Sequence, residues 1–588
     1  MIEIKKLVYD AIIVGGGGAG LRAAIELADS GLHVAVVSKV FPTRSHTVAA
    51  QGGVNAALGN NNEQDDWRWH MYDTIMGSDF LGDQDAIEYM CKEAPQTIIE
   101  LENMGLPFSR DAHGGIYQRA FGGQTKNFGG DLAHRTCCAA DRTGHALLHT
   151  LYQRNVACDT HFLTEWFAMD LVTDAHGRVA GVSAIEMQTG DLYYLEAKCT
   201  VLATGGAGKI FASNTNASIC TGDGIAMCLR AGIGAQDMEM WQFHPTGLYG
   251  VGILISEGTR GEGGYLVNSE GERYMKHYAP HLMDLSCRDV VARCSMLEIR
   301  EGRGCGPKKD HVLLKLNHLD PSVFDKKLPG ITELAKTYVG VDPREGLVPV
   351  VPTCHYMMGG IPTTRFAEVL YSKKNNDKEK VVGLYAAGEC ANVSVHGANR
   401  LGANSLLDIV VFGRSAGKQI KLNLEQGCDI ASPSGEDIDY AFRRYYALED
   451  SAMQVSMESS RSVMKQVMQE DFGVFRDGPT MQSGLEKIKY HWEQSKSFAL
   501  KDRSKHFNTA RFEVLECQNM LEVAYATALG AITREESRGA HSRVDYPDRI
   551  DAKWHCHLVV HNDAKVTRRD INMQPNFVDP IALKERDH

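Results

Sequence analysis

LVYDAIIV (7–14), GGGGAG (15–20), LRAAIELADSG (21–31) and HVAVV (33–37) stand almost end to end near the start of the chain. The first stretch is short, apolar and β-branched, which suits a strand buried on both faces of a parallel sheet. LRAAIELADSG repeats its apolar residues at helical spacing, and Gly31 stands where a C′ glycine ends a helix. HVAVV reads as a second strand, so the stretch predicts a βαβ unit of about thirty residues. Gly15, Gly17 and Gly20 form GxGxxG at the strand-to-helix turn. There the first glycine permits the turn, the second lets a pyrophosphate approach the backbone, and the third allows close helix packing. The motif is weak alone and informative in this context. The expected dinucleotide cradle is therefore Gly15, Gly16, Gly17, Gly18, Ala19 and Gly20. The second strand ends at Ser38-Lys39 with no Asp or Glu for a ribose hydroxyl. That disfavours an ordinary NAD site and leaves FAD open, with Ser38 as a neutral hydrogen-bonding substitute. GRSAGKQ (413–419) is one spacer short of a phosphate loop and lacks the final Ser/Thr, so it is expected to be helix.

The rest of the composition narrows the class. With 588 residues, about four structural units are expected at about 150 residues each. A hydrophobic fraction of 43% and a charged fraction of 23% belong to a globular chain. The net charge of −12 supplies no broad basic field for nucleic acid. Fifteen cysteines, an odd number with no CxxC pair, fit neither a disulfide framework nor a metal or iron–sulfur ligand set. No apolar run approaches the ~20 residues of a membrane span, and the first strand starts too early to leave room for a leader. Glycine, 58 residues of 588, exceeds the usual ~7% and clusters in loops.

Further strands are expected near 194–206 and 381–389, so a parallel sheet is interrupted by a long insertion. The fold class is α/β: a discontinuous, Rossmann-like FAD-binding domain at 1–243 and 355–430, and an inserted capping domain at 244–354. A helical domain at 431–541 and a C-terminal domain at 542–588 complete it. KKNNDKEK (373–380) reads as an exposed loop. His555, His557 and His561 lack evident companion ligands and are read as structural.

VFPTRSHTVAAQGG (40–53) follows the second strand, where a bound dinucleotide would run. It resembles the flavin-attachment segment of the flavoprotein subunits of succinate dehydrogenase and fumarate reductase. The resemblance continues through FGGQTKNFGG (121–130), ADRTGHALLHTL (140–151), ATGGAGKIF (203–211), TGDG (221–224) and MEMWQFHPTG (238–247). It resumes in SEGTRGEGG (256–264), CRDVVAR (287–293), PTCHYMMGGIPT (352–363), AAGEC (386–390) and SVHGANRLGANSLLD (394–408). Their order along nearly the whole chain makes coincidence a poor explanation.

The resemblance implies hydride transfer from succinate to covalently held FAD, with His46 as the attachment residue. It implies further FAD contacts at Lys39, Ser45, Thr47, Gln51, Gly52 and Gly53, and at Asp223, Glu389, Ser405 and Leu406. Substrate binding falls to His244, Ser256, His355 and Arg400; bidentate guanidinium suits one carboxylate of a small dianion. Arg288 is the implied proton acceptor, with Glu257 and Arg260 as an outward relay. A purely charge-neutralising Arg288 stays open on chemical grounds, because a guanidinium normally keeps its proton. With no cluster ligands of its own, the chain is expected to pass electrons to an iron–sulfur subunit. Membrane anchor subunits that bind quinone, and haem in some complexes, would follow. Its expected place is the cytoplasmic face of a bacterial inner membrane, held there by those partners. Gln51 marks the dehydrogenase side of the family, with a quinol:fumarate reductase as the alternative. L-aspartate oxidase and a catalytically idle flavoprotein are more remote. Three departures from the family pattern stand out: Ser256 for threonine, Thr259 for cysteine, and Ala403 for glycine. Cys137 and Cys138 are expected to be small buried hydrophobes.

Overall fold

The computed structural model describes residues 3–60, 64–371, 379–427, 430–450, 456–500 and 502–586. Most of the expected 373–380 loop, and residues 451–455 of the helical region, lie outside the described residues. The βαβ unit forms as β1 (Ile4–Val14), α1 (Gly18–Ala28) and β2 (Val34–Ser38). β1 pairs in parallel with β2, Val14 opposite Val37, and with the strand Leu192–Leu202, Val14 opposite Leu202. Lys380–Ala386 adds in parallel beyond Leu192–Leu202, and His161–Thr164 in parallel beyond β2. The hairpin Trp166–Thr173/Val179–Glu186 and the edge strand Glu368–Leu370 join antiparallel and complete eight strands. Alternation along β1 feeds two cores: Ile12 and Val14 face one, Ala11 and Ile13 the other.

Two glycines of the first turn are sterically required. Gly15 has φ +118, and a Cβ there would lie 2.1 Å from the Ala203 carbonyl oxygen. A Cβ on Gly20 would lie 2.0 Å from the Gly15 oxygen, so only glycine lets α1 sit this close to its strand. GRSAGKQ lies inside the helix Asn404–Glu425, as expected.

The insertion builds a four-stranded antiparallel sheet, Trp241–Leu248, Val348–Met357, Val312–Lys315 and Tyr265–Val267, over its own core around Leu248, Leu266 and Val291. The positions 243/244 and 354/355 fall inside the two longest of these strands, which carry His244 and His355. The helices Met457–Asp471, Gly478–Ser495 and Thr509–Thr533 follow, and Met468, Ile488 and Leu521 share a core with the main sheet. Near the C-terminus, Cys556–Val560 pairs with Val566–Asp570 and with Ala235–Gln236. His557 is buried there between Asp237, 2.6 Å from Nδ1, and Asp83, 3.2 Å from Nε2. Among the described residues no group of His, Cys, Asp or Glu is arranged to hold a metal, and no helix is long and apolar enough to cross a membrane.

Candidate active site

A cavity of about 610 Å³ runs from the GGGGAG turn to the sheet of the insertion. All the expected site residues line it except Gly20, which packs beneath the turn, and Arg260, which lies behind Glu257. The volume falls within the range of small-molecule and cofactor sites.

At the nucleotide end the backbone of Gly15–Gly17 faces the loop 45–47. Ser45 Oγ is buried without a partner, whereas Thr47 Oγ1 accepts the Gly18 N–H at 3.1 Å. Ser38 Oγ donates to the Val40 carbonyl at 2.6 Å, which leaves its lone pairs as acceptors toward the cavity. Lys39 is committed to protein: its Nζ lies 2.7 Å from Asp223 and 2.6 Å from Glu516. Asp223 also accepts from Asn519 and Thr221, both at 2.8 Å. Burial pushes Asp223 upward, but the Lys39 ammonium outweighs it and holds the carboxyl below its ordinary range.

His46 sits midway, half-buried. Its Nδ1 accepts the Ala217 N–H at 3.2 Å, so Nε2 is the free ring atom. Burial, then the nearby Lys209 charge, lower its pKa to about 4 and keep the imidazole neutral. Gln51 clips this segment to the insertion: Nε2 donates to the Leu254 carbonyl (3.1 Å) and Oε1 accepts the Ser256 N–H (3.0 Å). Glutamate could accept but not donate there, a local reason for the amide. Ser405 and Leu406 lie in the first turn of Asn404–Glu425, where helix N–H groups point outward. Glu389 accepts the Met357 N–H at 3.1 Å, and burial raises its pKa to about 7.

The far end is basic. The rings of His244 and His355 meet edge to face at 5.0 Å on adjacent strands. His244 Nδ1 accepts the Thr246 N–H at 3.2 Å, which places the ring proton on Nε2, a buried donor without a partner. Burial, then Arg288, hold His244 well below the ordinary histidine range; burial and Arg288 do the same to His355. His355 Nδ1 lies 2.7 Å from the Thr215 hydroxyl. Ser256 Oγ accepts the Gly258 N–H (3.0 Å) and can still donate. Thr259 Oγ1 donates to the Ser256 carbonyl (2.8 Å), a contact that fixes the short turn after Ser256.

Arg288 begins the helix Arg288–Arg300. Its Nε donates to Glu257 Oε2 at 2.6 Å and its Nη1 to Gln242 Oε1 at 3.0 Å. Glu257 also accepts the Gly122 N–H (2.5 Å) and lies 3.8 Å from Arg260 Nη2. Burial would raise Glu257, but Arg288 and Arg260 outweigh it and hold the carboxyl low. Arg260 Nη1 donates to the Asp284 carbonyl. Arg400 Nη2 donates to the same Gln242 oxygen at 3.1 Å, and its Nε is buried and unpartnered.

Gln242 was not foreseen. One amide oxygen spaces the two arginines, while its Nε2 donates to Asn399 and to the Arg400 carbonyl. Its only sequence signal was its place two residues before His244. Cys137 and Cys138 are both buried, but Cys138 is more than a small hydrophobe. Its Sγ accepts from Arg119 Nε at 3.2 Å and Nη2 at 2.8 Å, pairing a thiol with a buried cation. Ala403 does take the conformation a glycine would favour, φ +64 and ψ 1.

The cavity fits FAD. A glycine turn whose Gly15 and Gly20 cannot bear side chains faces an unpartnered Ser45 hydroxyl at one end, and unpartnered His244 and Arg400 donors face the other. Fold and site together define an FAD-binding flavoprotein with a second, dianion-compatible compartment. Residues 10–406 match the FAD binding domain family and residues 461–588 the fumarate reductase flavoprotein C-terminal family. The chain is 55% identical over 588 residues to the succinate dehydrogenase flavoprotein subunit of Coxiella burnetii, covering 100% of both. It is 53% identical over 553 residues to the mitochondrial succinate dehydrogenase [ubiquinone] flavoprotein subunit of Oryza sativa, covering 93% of this chain and 87% of that one. A solved mutant E. coli quinol fumarate reductase superposes with a TM-score of 0.90 at 37% identity, covering 98% and 99%. The chain belongs to the succinate dehydrogenase/fumarate reductase flavoprotein family.

Proposed function

We propose that this chain is the catalytic flavoprotein subunit of a quinone-linked succinate dehydrogenase, oxidising succinate to fumarate on FAD tethered through His46. The observation that carries the reading is the convergence, on one cavity, of the Arg288–Glu257 pair with unpartnered donors of His244 and Arg400. Bound FAD supplies the ring that accepts a hydride from an unactivated C–H bond.

The chain's own residues do the rest. Arg400 and His355 hold one carboxylate, His244 and Ser256 the other, so the dianion is fixed before reaction. Neutral His244 donates from Nε2 without adding charge. Arg288 passes one N–H proton to Glu257, whose Oε2 lies 2.6 Å from its Nε, and the neutral guanidine nitrogen this leaves takes the proton from the substrate carbon, which restores the ordinary guanidinium monocation. Arg260, whose Nη2 lies 3.8 Å from Glu257 Oε2, continues the relay. When FAD is bound, His46 would hold it through Nε2, the ring nitrogen left free because Nδ1 accepts the Ala217 N–H.

Electrons must then leave a chain whose described residues contain no metal ligand set. An iron–sulfur subunit and quinone-binding membrane anchors are the proposed partners, and they would hold the chain at the cytoplasmic face of a bacterial inner membrane. Quinol:fumarate reduction is the second reading, supported by the fold likeness to the E. coli enzyme. On a denaturing gel under ultraviolet light, the flavin-loaded chain should fluoresce near 64.7 kDa. His46→Ser should show no such band while its flavin becomes extractable; flavin that stayed attached would refute the tether. The loaded complex should also reduce an artificial dye when given succinate, and failure to do so would refute the activity.

A further inference from the structure

Arg400 has a neighbour that the proposed reaction leaves unused. Its guanidinium carbon stands 4.3 Å from the centre of the Tyr356 ring, one residue beyond His355 on the same strand. The Tyr356 ring is buried and lines the cavity. Its hydroxyl donates to Asp408 Oδ2 at 3.2 Å, and His396 Nε2 meets the same oxygen at 3.1 Å. The Tyr356 and His396 rings are edge to face at 5.3 Å. Three segments therefore fix the ring: the strand Val348–Met357, the loop bearing His396, and the helix Asn404–Glu425. Among the described residues the Arg400 side chain donates only to Gln242, and its Nε has no partner.

We propose that Tyr356 is a positioning residue, a platform held by Asp408 and His396 on which the Arg400 guanidinium lies so that its Nε edge meets a substrate carboxylate. The proposal rests on the reading of Arg400 as the carboxylate grip. Physically, a guanidinium stripped of water beside Arg288 needs compensation. Burial, then the Arg288 charge, already draw its pKa down to about 9. The ring face supplies electrostatic attraction without consuming an N–H donor, and the hydroxyl's bond to Asp408 increases the ring's electron density. A carboxylate in Tyr356's place would neutralise the grip, and an aliphatic side chain would let the guanidinium rotate. A desolvated stack of this kind is worth about 10- to 30-fold in binding.

The test uses the flavin-loaded complex and malonate, a dicarboxylate that lacks the C–C bond to be oxidised, titrated through its perturbation of the flavin spectrum. Tyr356→Leu should weaken malonate about 10-fold and raise the succinate KM in step, with kcat falling less than about 3-fold. Replacing Tyr356 by phenylalanine and then by increasingly fluorinated phenylalanines keeps the volume and drains the ring face. Affinity should start within about 3-fold of wild type and fall stepwise with fluorination. Unchanged malonate affinity in Tyr356→Leu, at matching flavin content and melting temperature, would overturn the proposal. A flat fluorination series would do the same. A wild-type complex that ignores malonate would instead overturn the dicarboxylate reading on which it rests.

Discussion

Glu257→Gln changes one atom at the centre of the proposed relay and preserves its shape. In the wild type one carboxylate oxygen takes the Arg288 Nε–H at 2.6 Å, the other takes the Gly122 N–H at 2.5 Å, and Arg260 Nη2 stands 3.8 Å away. A glutamine amide has one acceptor oxygen, so its NH2 must face either Gly122 N–H or Arg288 Nε, donor against donor. One hydrogen bond is lost and two buried guanidinium groups lose their shared counter-ion. Removing one partner of a buried ion pair costs about 3–5 kcal/mol in stability, reduced here because Gln242 still holds Arg288. Loss of a proton-transfer partner costs about 10²–10⁴ in rate, or about 3–5 kcal/mol of barrier. Glu257 is assigned no substrate contact, so the loss should fall on kcat. Dye-linked succinate oxidation normalised to flavin, with malonate affinity measured alongside, checks the split. A kcat within about 5-fold of wild type, with weakened malonate binding, would contradict the relay and leave Glu257 as a charge-balancing strut.

Three further outcomes are expected. Burial opposes protonation of His557, but Asp237 and Asp83 outweigh it and raise its pKa to about 9, so the folded chain holds a proton that the unfolded chain releases near pH 6.5. That stabilisation, about 3 kcal/mol, is complete below about pH 6.5 and lost as pH rises through about 9; melting curves across that range should fall for wild type and flatten for His557→Gln. Ala403→Gly should be neutral to stabilising by about 1 kcal/mol, since relief of the left-handed strain exceeds the added unfolded-chain entropy, and a lowered melting temperature would contradict it. Gln242→Leu should leave both Arg288 and Arg400 unspaced and depress kcat/KM at least 10-fold with flavin content unchanged; near-normal turnover would show that the shared amide oxygen is dispensable.

Local pattern carried the reading a long way where chemistry is local. The Gly15–Gly20 turn, β1 and β2 are contiguous in sequence, and periodicity and steric need were enough to read them, whereas the segment around His46 was legible only through its family resemblance. The strands near 194–206 and 381–389 form at Leu192–Leu202 and Lys380–Ala386 because apolar, β-branched runs bounded by glycine have few alternatives. Pairings between distant segments left no comparable trace. Nothing near Trp241 announces its antiparallel partner around Met357, so the split of His244 and His355 between two neighbouring strands was invisible. Gln242 and Tyr356 read as ordinary neighbours of histidines; their roles come from arginines 46 and 44 residues or more away. Lys39 lines the cavity, and its pairing with Asp223 and Glu516 from remote helices left no trace in the sequence either.

The central claim is that the cavity between the glycine turn and the His244–Arg400 cluster oxidises succinate. Its most direct test compares, in one flavin-loaded complex, the rate of dye reduction by succinate with the rate of fumarate reduction by reduced dye. Succinate oxidation should dominate, with competitive inhibition by malonate and loss of activity in Arg288→Ala. A loaded complex that reduces no dye with succinate would contradict the account, and fumarate reduction far in excess would assign the chain to the reverse reaction.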